Sequence, residues 1–166
     1  MRTLRSPWPW LILLTAAVCS RAEEMTPAWV LESGDFQQTV VSTSSEEKDQ
    51  LVKAGWVVDA TGQMRTAWAT GSGPVHRLFR SNAQGVHRVL ESDVQQLPVW
   101  EKSGFTDEGI VGYVADSEGP GRIAVIQYTK GDRRLWVVSE AAQARAEREG
   151  WTRQGVHFWL WPVDQR

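Results

Sequence analysis

The side chains best suited to chemistry in this chain are its tryptophans, and they point to binding rather than to catalysis. The sequence has ten tryptophans, of which Trp8 and Trp10 lie close to its start. Five others do not all recur at equivalent positions and could form an exposed platform: Trp68, Trp100, Trp136, Trp159 and Trp161. Such rings cover the apolar faces of sugars while nearby polar groups orient the hydroxyls. We add His157, which shares a strand face with Trp159 and Trp161, and predict a ligand-binding surface; burial in the core is the alternative.

Patterns that are typical of enzymes are weak. The three histidines, which show no metal-binding spacing, are His76, His87 and His157. No serine lies in a G-x-S-x-G elbow, and the adjacent pair Asp107 and Glu108 does not define a glycosidase site. The sequence therefore predicts no catalytic residue, no metal site and no cofactor. An unrecognised hydrolase remains a third hypothesis, because catalytic triads assemble from positions that are distant in the chain.

The N-terminal segment resembles a cleaved secretory signal, which we assign to residues 1–22. It has a basic start at Arg2 and Arg5, an apolar run over residues 8–18 and small residues around the cleavage point at Ala22. The run is too short for a membrane-spanning helix. We therefore expect a secreted or periplasmic protein, with a lipid anchor on Cys19 as the minor alternative.

Composition favours one acidic domain over residues 23–166. The formal net charge is −2, and loss of the basic leader residues makes it more negative. That balance does not attract polyanions, so nucleic acid is not an expected partner. The only cysteine is Cys19, so the domain must be held together by its core, which a chain of this size can build.

A degenerate three-fold repeat organises this domain. Each unit contains a glycine followed by an aromatic residue, and the glycines are 49 and 46 residues apart. The three segments are Ala54-Gly55-Trp56, Ser103-Gly104-Phe105 and Glu149-Gly150-Trp151. The units span about residues 27–73, 74–121 and 122–162. Within each, the pattern predicts a hairpin, a short helix that ends at the glycine, and a returning strand.

The helix signals agree between the units. Ser44, Asp93 and Ser139 stand at the same distance before the three glycines and are good N-caps. Pro98 predicts a kinked or shortened second helix. The returning strands are expected at residues 62–68, 109–114 and 156–161. We predict a β-rich α+β domain around an approximate three-fold axis, with a β-trefoil-like or small propeller-like closure that removes sheet edges.

Four segments resemble a repeat found in secreted bacterial and fungal proteins of unassigned function. The family units read V-Y-R-L-Y-N, G-D-H-F-Y-T-T-S, A-G-W and E-G-V-A-F-Y. The similar segments here are residues 75–82, residues 131–139, Ala54-Gly55-Trp56 and residues 107–113. Phe36 and Arg133 stand where the family has its histidine after G-D. Members often accompany secreted hydrolases, so the resemblance implies attachment to glycans or the cell wall by association.

These observations favour a non-catalytic binding module of the cell envelope or exterior, with carbohydrate or peptidoglycan as ligand. The alternative is a protein-interaction or inhibitor module. Such a module would present the loops Ser33–Gln38 and Lys130–Arg134 to a secreted partner.

Overall fold

The chain forms a β-rich α+β domain. The computed structural model describes residues 24–68, 73–83 and 85–163, so the assigned leader at residues 1–22 lies outside the described part. Strands hold 55% of the described residues, which confirms the expected β-rich class. The strands are β1 (Glu24–Glu32), β2 (Thr39–Ser42), β3 (Val57–Trp68), β4 (Gly73–Asn82), β5 (Gly85–Glu91), β6 (Thr106–Val114), β7 (Ile123–Lys130), β8 (Arg133–Val137) and β9 (Thr152–Pro162).

Three short helices separate these strands in the described residues. They are α1 (Ser45–Lys53), α2 (Leu97–Lys102) and α3 (Glu140–Arg148). The side chains of Ser44 and Ser139 accept hydrogen bonds from backbone N–H groups in the first turns of α1 and α3, as their N-cap positions predict. Asp93 instead caps a 3₁₀ turn at Val94–Gln96 that precedes α2. The second helix is therefore shortened, with Pro98 in its first turn.

Each helix follows a hairpin and leads into a strand that pairs back onto that hairpin. β1 pairs antiparallel with β2 and β3, β4 with β5 and β6, and β7 with β8 and β9. The three groups join through β3, which pairs with both β6 and β9. A bridge between Ala115 and Trp159 connects the β6 end to β9. Together they form a sheet that is nearly closed and barrel-like over six strands.

The returning strands are longer than the sequence predicted. β3 begins at Val57 and β6 at Thr106, directly after the helices, rather than at Gly62 and Gly109. In each returning strand a glycine with positive φ lies at or beside a shift in the pairing register, at Gly62 (75°), Gly109 (99°) and Gly155 (130°). A β-bulge with glycine bends a strand without ending it, so these glycines lie inside the strands instead of starting them.

Two apolar clusters fill the fold. The larger one lies among the strands of the three groups and includes Leu78, Trp136 and Phe158. The smaller one, which includes Tyr128 and Trp151, lies under α3. β8 contributes to both, because its alternate side chains point to opposite faces.

Gly112 in β6 is a close-contact position. A Cβ atom there would lie 2.7 Å from Cγ2 and 2.8 Å from Oγ1 of Thr66, a side chain that is only 1% exposed. We expect Gly112→Ala to lower the free energy of unfolding by about 1–3 kcal/mol, because β3 and β6 must move apart. Urea denaturation measures the loss. Gly73→Ala, whose Cβ would meet nothing within 4 Å, is the control, and equal stability of the two variants would contradict the close packing.

Candidate ligand-binding pocket

A polar pocket of about 170 Å³ lies where segments from the three hairpins converge. The β1–β2 loop, the beginning of β5 and the β7–β8 turn with the beginning of β8 supply most of its walls. Phe105, directly after α2, adds an apolar wall. The polar and charged residues of its lining are Asp35, Gln37, Gln38, His87, Arg88, Asp132, Arg133 and Arg134.

Arg88 and Arg134 are half-buried lining residues whose guanidinium groups lie over aromatic rings outside the pocket lining. The Arg88 guanidinium lies 5.5 Å from the ring centre of Phe79, and that of Arg134 lies 4.5 Å from the ring centre of Trp100. Acidic side chains lie near both groups: Glu108 and Glu47 near Arg88, and Glu91 near Arg134. Burial lowers the pKa of both groups, but a guanidinium remains charged in proteins.

The rim is held by a local hydrogen-bond network. Nη1 of Arg133 donates to Oε1 of Gln37 over 2.8 Å and so ties β8 to the β1–β2 loop. Asp35 accepts hydrogen bonds from Oγ of Ser33 at 2.7 Å and from the backbone N–H of Gln37 at 3.2 Å. These contacts, with the serine as the largest cause, lower the pKa of Asp35. The rim therefore carries an ionised carboxylate beside the arginines.

Two buried polar atoms in the pocket wall lack a partner. His87 is 8% exposed, and its Nε2 has no hydrogen-bond partner among the described residues. The same holds for Oε1 of Gln38. A buried polar group that is left unpaired costs about 1–3 kcal/mol. Both atoms are enclosed by protein and do not face the interior of the pocket.

Trp100 supports the pocket from behind its wall. Its Nε1 donates to Oε2 of Glu91 at 2.8 Å, and its ring packs edge-on against Phe105 with centroids 5.1 Å apart. Its face carries the Arg134 guanidinium. Trp100 is half-buried. Because it contacts both Phe105 and Arg134, it can hold these two lining residues in position.

Trp136 is not part of an exposed platform, and the prediction that it could be is wrong. Its side chain is 0% exposed, because both faces of β8 are covered, one by α3 and the other by the main core. His157 lies beside it, with ring centroids 6.2 Å apart. Nε2 of His157 donates to the carbonyl of Leu90 at 3.1 Å, and burial lowers the pKa of this imidazole. Both residues therefore pack between strands.

The remaining candidates lie elsewhere on β9 and β3. Trp159 is half-buried and pairs through its backbone with Ala115. Trp161 is half-buried and carries the Arg122 guanidinium 5.7 Å from its ring centre. Trp68 ends β3, and its side chain lies outside the described part. The described contacts thus connect Trp100 to the pocket and place Trp136 and His157 in the core.

The sequence predictions did not name His87 or Arg88 as site residues, and they included Arg134 only as the end of the loop Lys130–Arg134. A usable signal was present, because each wall segment follows a loop glycine: Gly34, Gly85 or Gly131. The loops Ser33–Gln38 and Lys130–Arg134 were expected to face a partner, and both contribute to the pocket. Their convergence with β5 needed the structure.

Residues 24–68, 73–83 and 85–163 contain neither a metal-binding cluster nor a helix able to span a membrane. No group of three or more His, Cys, Asp or Glu side chains could hold a metal ion there. In the same ranges, every helix is too short or too polar to cross a membrane.

Fold and pocket together define a β-rich, barrel-like domain with a small polar pocket. The chain belongs to the family described as a domain of unknown function (DUF5648), whose model matches residues 33–161. This agrees with the resemblance to a family of unassigned function. Neither the curated proteins nor the solved structures contain a significant match to the chain.

Proposed function

We propose that this protein is a non-catalytic, secreted or envelope-located binding module for carbohydrate, and that the polar pocket is its binding site. The observation that carries the proposal is one pocket at which the three hairpins converge, lined by aspartate, glutamine, histidine and arginine residues beside the apolar Phe105. Binding sites combine a few well-placed polar groups with apolar walls. Here Phe105 offers the apolar wall and Gln38 adds an amide.

The size of the pocket limits the ligand. Its volume of about 170 Å³ is below the range of about 300–1,000 Å³ that is usual for sites of drug-sized ligands. It therefore suits one sugar residue or the end of a chain better than an extended oligosaccharide.

The proposal includes a repeat origin for the site. The three segments share an order of pairing, a capped helix and a bulge glycine, which supports descent from one unit around an approximate three-fold axis. On this view the pocket uses the corresponding hairpin regions of all three copies. Divergence between the copies explains why one pocket contains glutamine, histidine and arginine at similar places.

Intrinsic tryptophan fluorescence of the purified protein, titrated with polysaccharides and peptidoglycan fragments, tests the proposal. We expect a saturable change, because Trp100 touches both Phe105 and Arg134. Arg134→Ala should lose most of this response, whereas the matched control Arg122→Ala, whose guanidinium lies over Trp161, should keep it. No saturable change with any glycan would contradict the proposal and favour the protein-interaction alternative.

A further inference from the structure

We propose that loss of a proton from Glu32 rearranges the loop Ser33–Gln38 and so makes one wall of the pocket responsive to pH. Glu32 forms the last pair of the β1–β2 hairpin, opposite Thr39, directly below this loop. The residues that the loop adds to the pocket lining are Asp35, Gln37 and Gln38. As a regulation of the pocket the inference rests on the proposed function, but its test uses the ligand-free protein.

A buried pair of carboxyl groups links this hairpin to α3. Glu32 is 8% exposed and Asp59 on β3 is 3% exposed, and their side chains hydrogen-bond to each other. Asp59 also accepts hydrogen bonds from the backbone N–H of Thr61 and from Oγ of Ser139, each at 2.8 Å. Several accepted hydrogen bonds favour the ionised form of a carboxyl group, so Glu32 is the member of the pair that donates a proton. Because Ser139 caps α3, this proton joins β1, β3 and α3.

Loss of the proton to solvent reverses the forces on Glu32. The hydrogen bond disappears and two negative charges are left side by side. Burial, as the largest cause, and the Asp59 carboxylate raise the pKa of Glu32 to about 7, so the change falls near neutral pH. The other charged groups that act on Glu32 are Arg145 and Glu149 of α3, while its partner on β2 is the uncharged Thr39. The ionised side chain is therefore repelled by Asp59 and attracted by Arg145.

Arg145 also holds the loop in place. Its guanidinium lies 4.2 Å from the ring centre of Phe36, and its Nε donates to Oε1 of Glu149 at 2.8 Å. Phe36 is 0% exposed and packs in the smaller apolar cluster under α3. Its φ of 56° is strained for a residue other than glycine, so packing must maintain the shape of the loop. A shift of Arg145 toward ionised Glu32 weakens this packing and releases the loop.

Backbone amide NMR of the ligand-free protein, recorded across neutral pH, tests the inference. We expect the amides of Asp35, Gln37 and Gln38 to change with a common midpoint near the pKa of Glu32, about 7. Glu32→Gln keeps a neutral hydrogen-bond donor and cannot titrate, so it should abolish this shared transition. The control Glu118→Gln, at an exposed position, should retain it.

Hydrogen exchange separates movement of the loop from a purely electrostatic change in chemical shift. The N–H of Ser33 donates to the carbonyl of Gln38 at 2.9 Å, and that of Phe36 donates to the carbonyl of Ser33 at 2.8 Å. When the loop is released, these two N–H groups should exchange at least about fivefold faster in the wild type than in Glu32→Gln at the same alkaline pH. Below the transition the two proteins should exchange at equal rates.

Two further variants keep the inference testable if Glu32→Gln fails to fold. Asp59→Asn removes a charge that raises the pKa of Glu32, and Arg145→Gln removes a charge that lowers it. The midpoint of the loop transition should therefore fall in Asp59→Asn and rise in Arg145→Gln, each by about half a pH unit or more. Thermal melting checks that each variant is folded. Equal midpoints in the two variants would contradict the assignment to Glu32.

The remaining outcomes also decide the matter. Histidines titrate in the same pH range, and His87 lines the pocket. A loop transition that persists unchanged in Glu32→Gln would assign it to another group such as His87 and overturn the inference. Chemical-shift changes without faster exchange would show that Glu32 ionises while the loop stays in place, which would overturn it as well.

The proposed function is tested separately by repeating the glycan fluorescence titration on either side of the transition. We expect the affinity to differ between the two pH values in the wild type and to be equal in Glu32→Gln. Absence of glycan binding at both pH values would overturn the proposed function and leave the pH response of the loop in place.

Discussion

Trp136→Ala is expected to lower the free energy of unfolding by about 3–5 kcal/mol, the usual cost of removing a large buried aromatic side chain. Trp136 is the largest fully buried side chain in the described residues. It also contacts the ring of His157 across the β8–β9 side of the core. The cavity left behind lies at the junction of strands from several hairpins, where relaxation is limited. Chemical denaturation of both proteins measures the loss.

Trp136→Phe separates packing from hydrogen bonding at the same position. The indole N–H of Trp136 has no partner among the described residues, so phenylalanine removes an unsatisfied donor together with part of the ring. We expect a loss of less than half that of Trp136→Ala, because a buried unpaired N–H costs about 1–3 kcal/mol. An equal decrease in the free energy of unfolding of both variants would show that the N–H is paired. An unchanged free energy of unfolding in the alanine variant would show that Trp136 is exposed.

Stability should decrease as pH rises from about 4.5 to about 7, because of Glu32. Its side chain is 8% exposed beside Asp59, which is 3% exposed. Burial, as the largest cause, and the neighbouring Asp59 carboxylate raise the pKa of Glu32 from its ordinary value of 4.5 to about 7. The folded state therefore holds this proton more tightly than the unfolded state does. The stabilisation is fully present below pH 4.5 and is lost as pH rises through the folded pKa.

Glu32→Gln removes this titration while keeping the shape and an N–H donor toward Asp59. Relative to the wild type, the free energy of unfolding of the variant should rise by about 3 kcal/mol between pH 4.5 and pH 8, from 1.36 kcal/mol per unit of pKa. Urea denaturation at several pH values measures it. The control is Glu118→Gln at an exposed position, for which the difference in free energy of unfolding from the wild type should not change with pH. If this difference were also independent of pH for Glu32→Gln, the raised pKa would be contradicted.

Local features of the fold could be predicted from the sequence because they depend on neighbouring residues. Ser44 and Ser139 cap the helices where their spacing places them, and the helix-ending glycines Gly55, Gly104 and Gly150 all have positive φ. The lengths of the returning strands could not be predicted in this way. Gly62 and Gly109 resemble strand starts in sequence, and only the pairing across the sheet identifies them as bulges.

The site was harder to predict because it depends on contacts between distant segments. Gln38, His87 and Arg134 come from three hairpins and meet only after the sheet closes. Trp136 looked like a surface candidate because alternation predicts which side chains share a face, but not what covers that face. Trp100 does not line the pocket but contacts two lining residues, Phe105 and Arg134, so its choice as a ligand-binding residue stays a prediction.

The most direct test of the central claim is chemical-shift mapping of backbone amides by NMR while the protein is titrated with the glycan that binds most tightly. We expect the largest changes at Gln38, His87 and Arg134, with Phe105 following. Largest changes around Trp161 and Arg122 instead would place the ligand on the β9 surface and contradict the assignment of the pocket as the binding site.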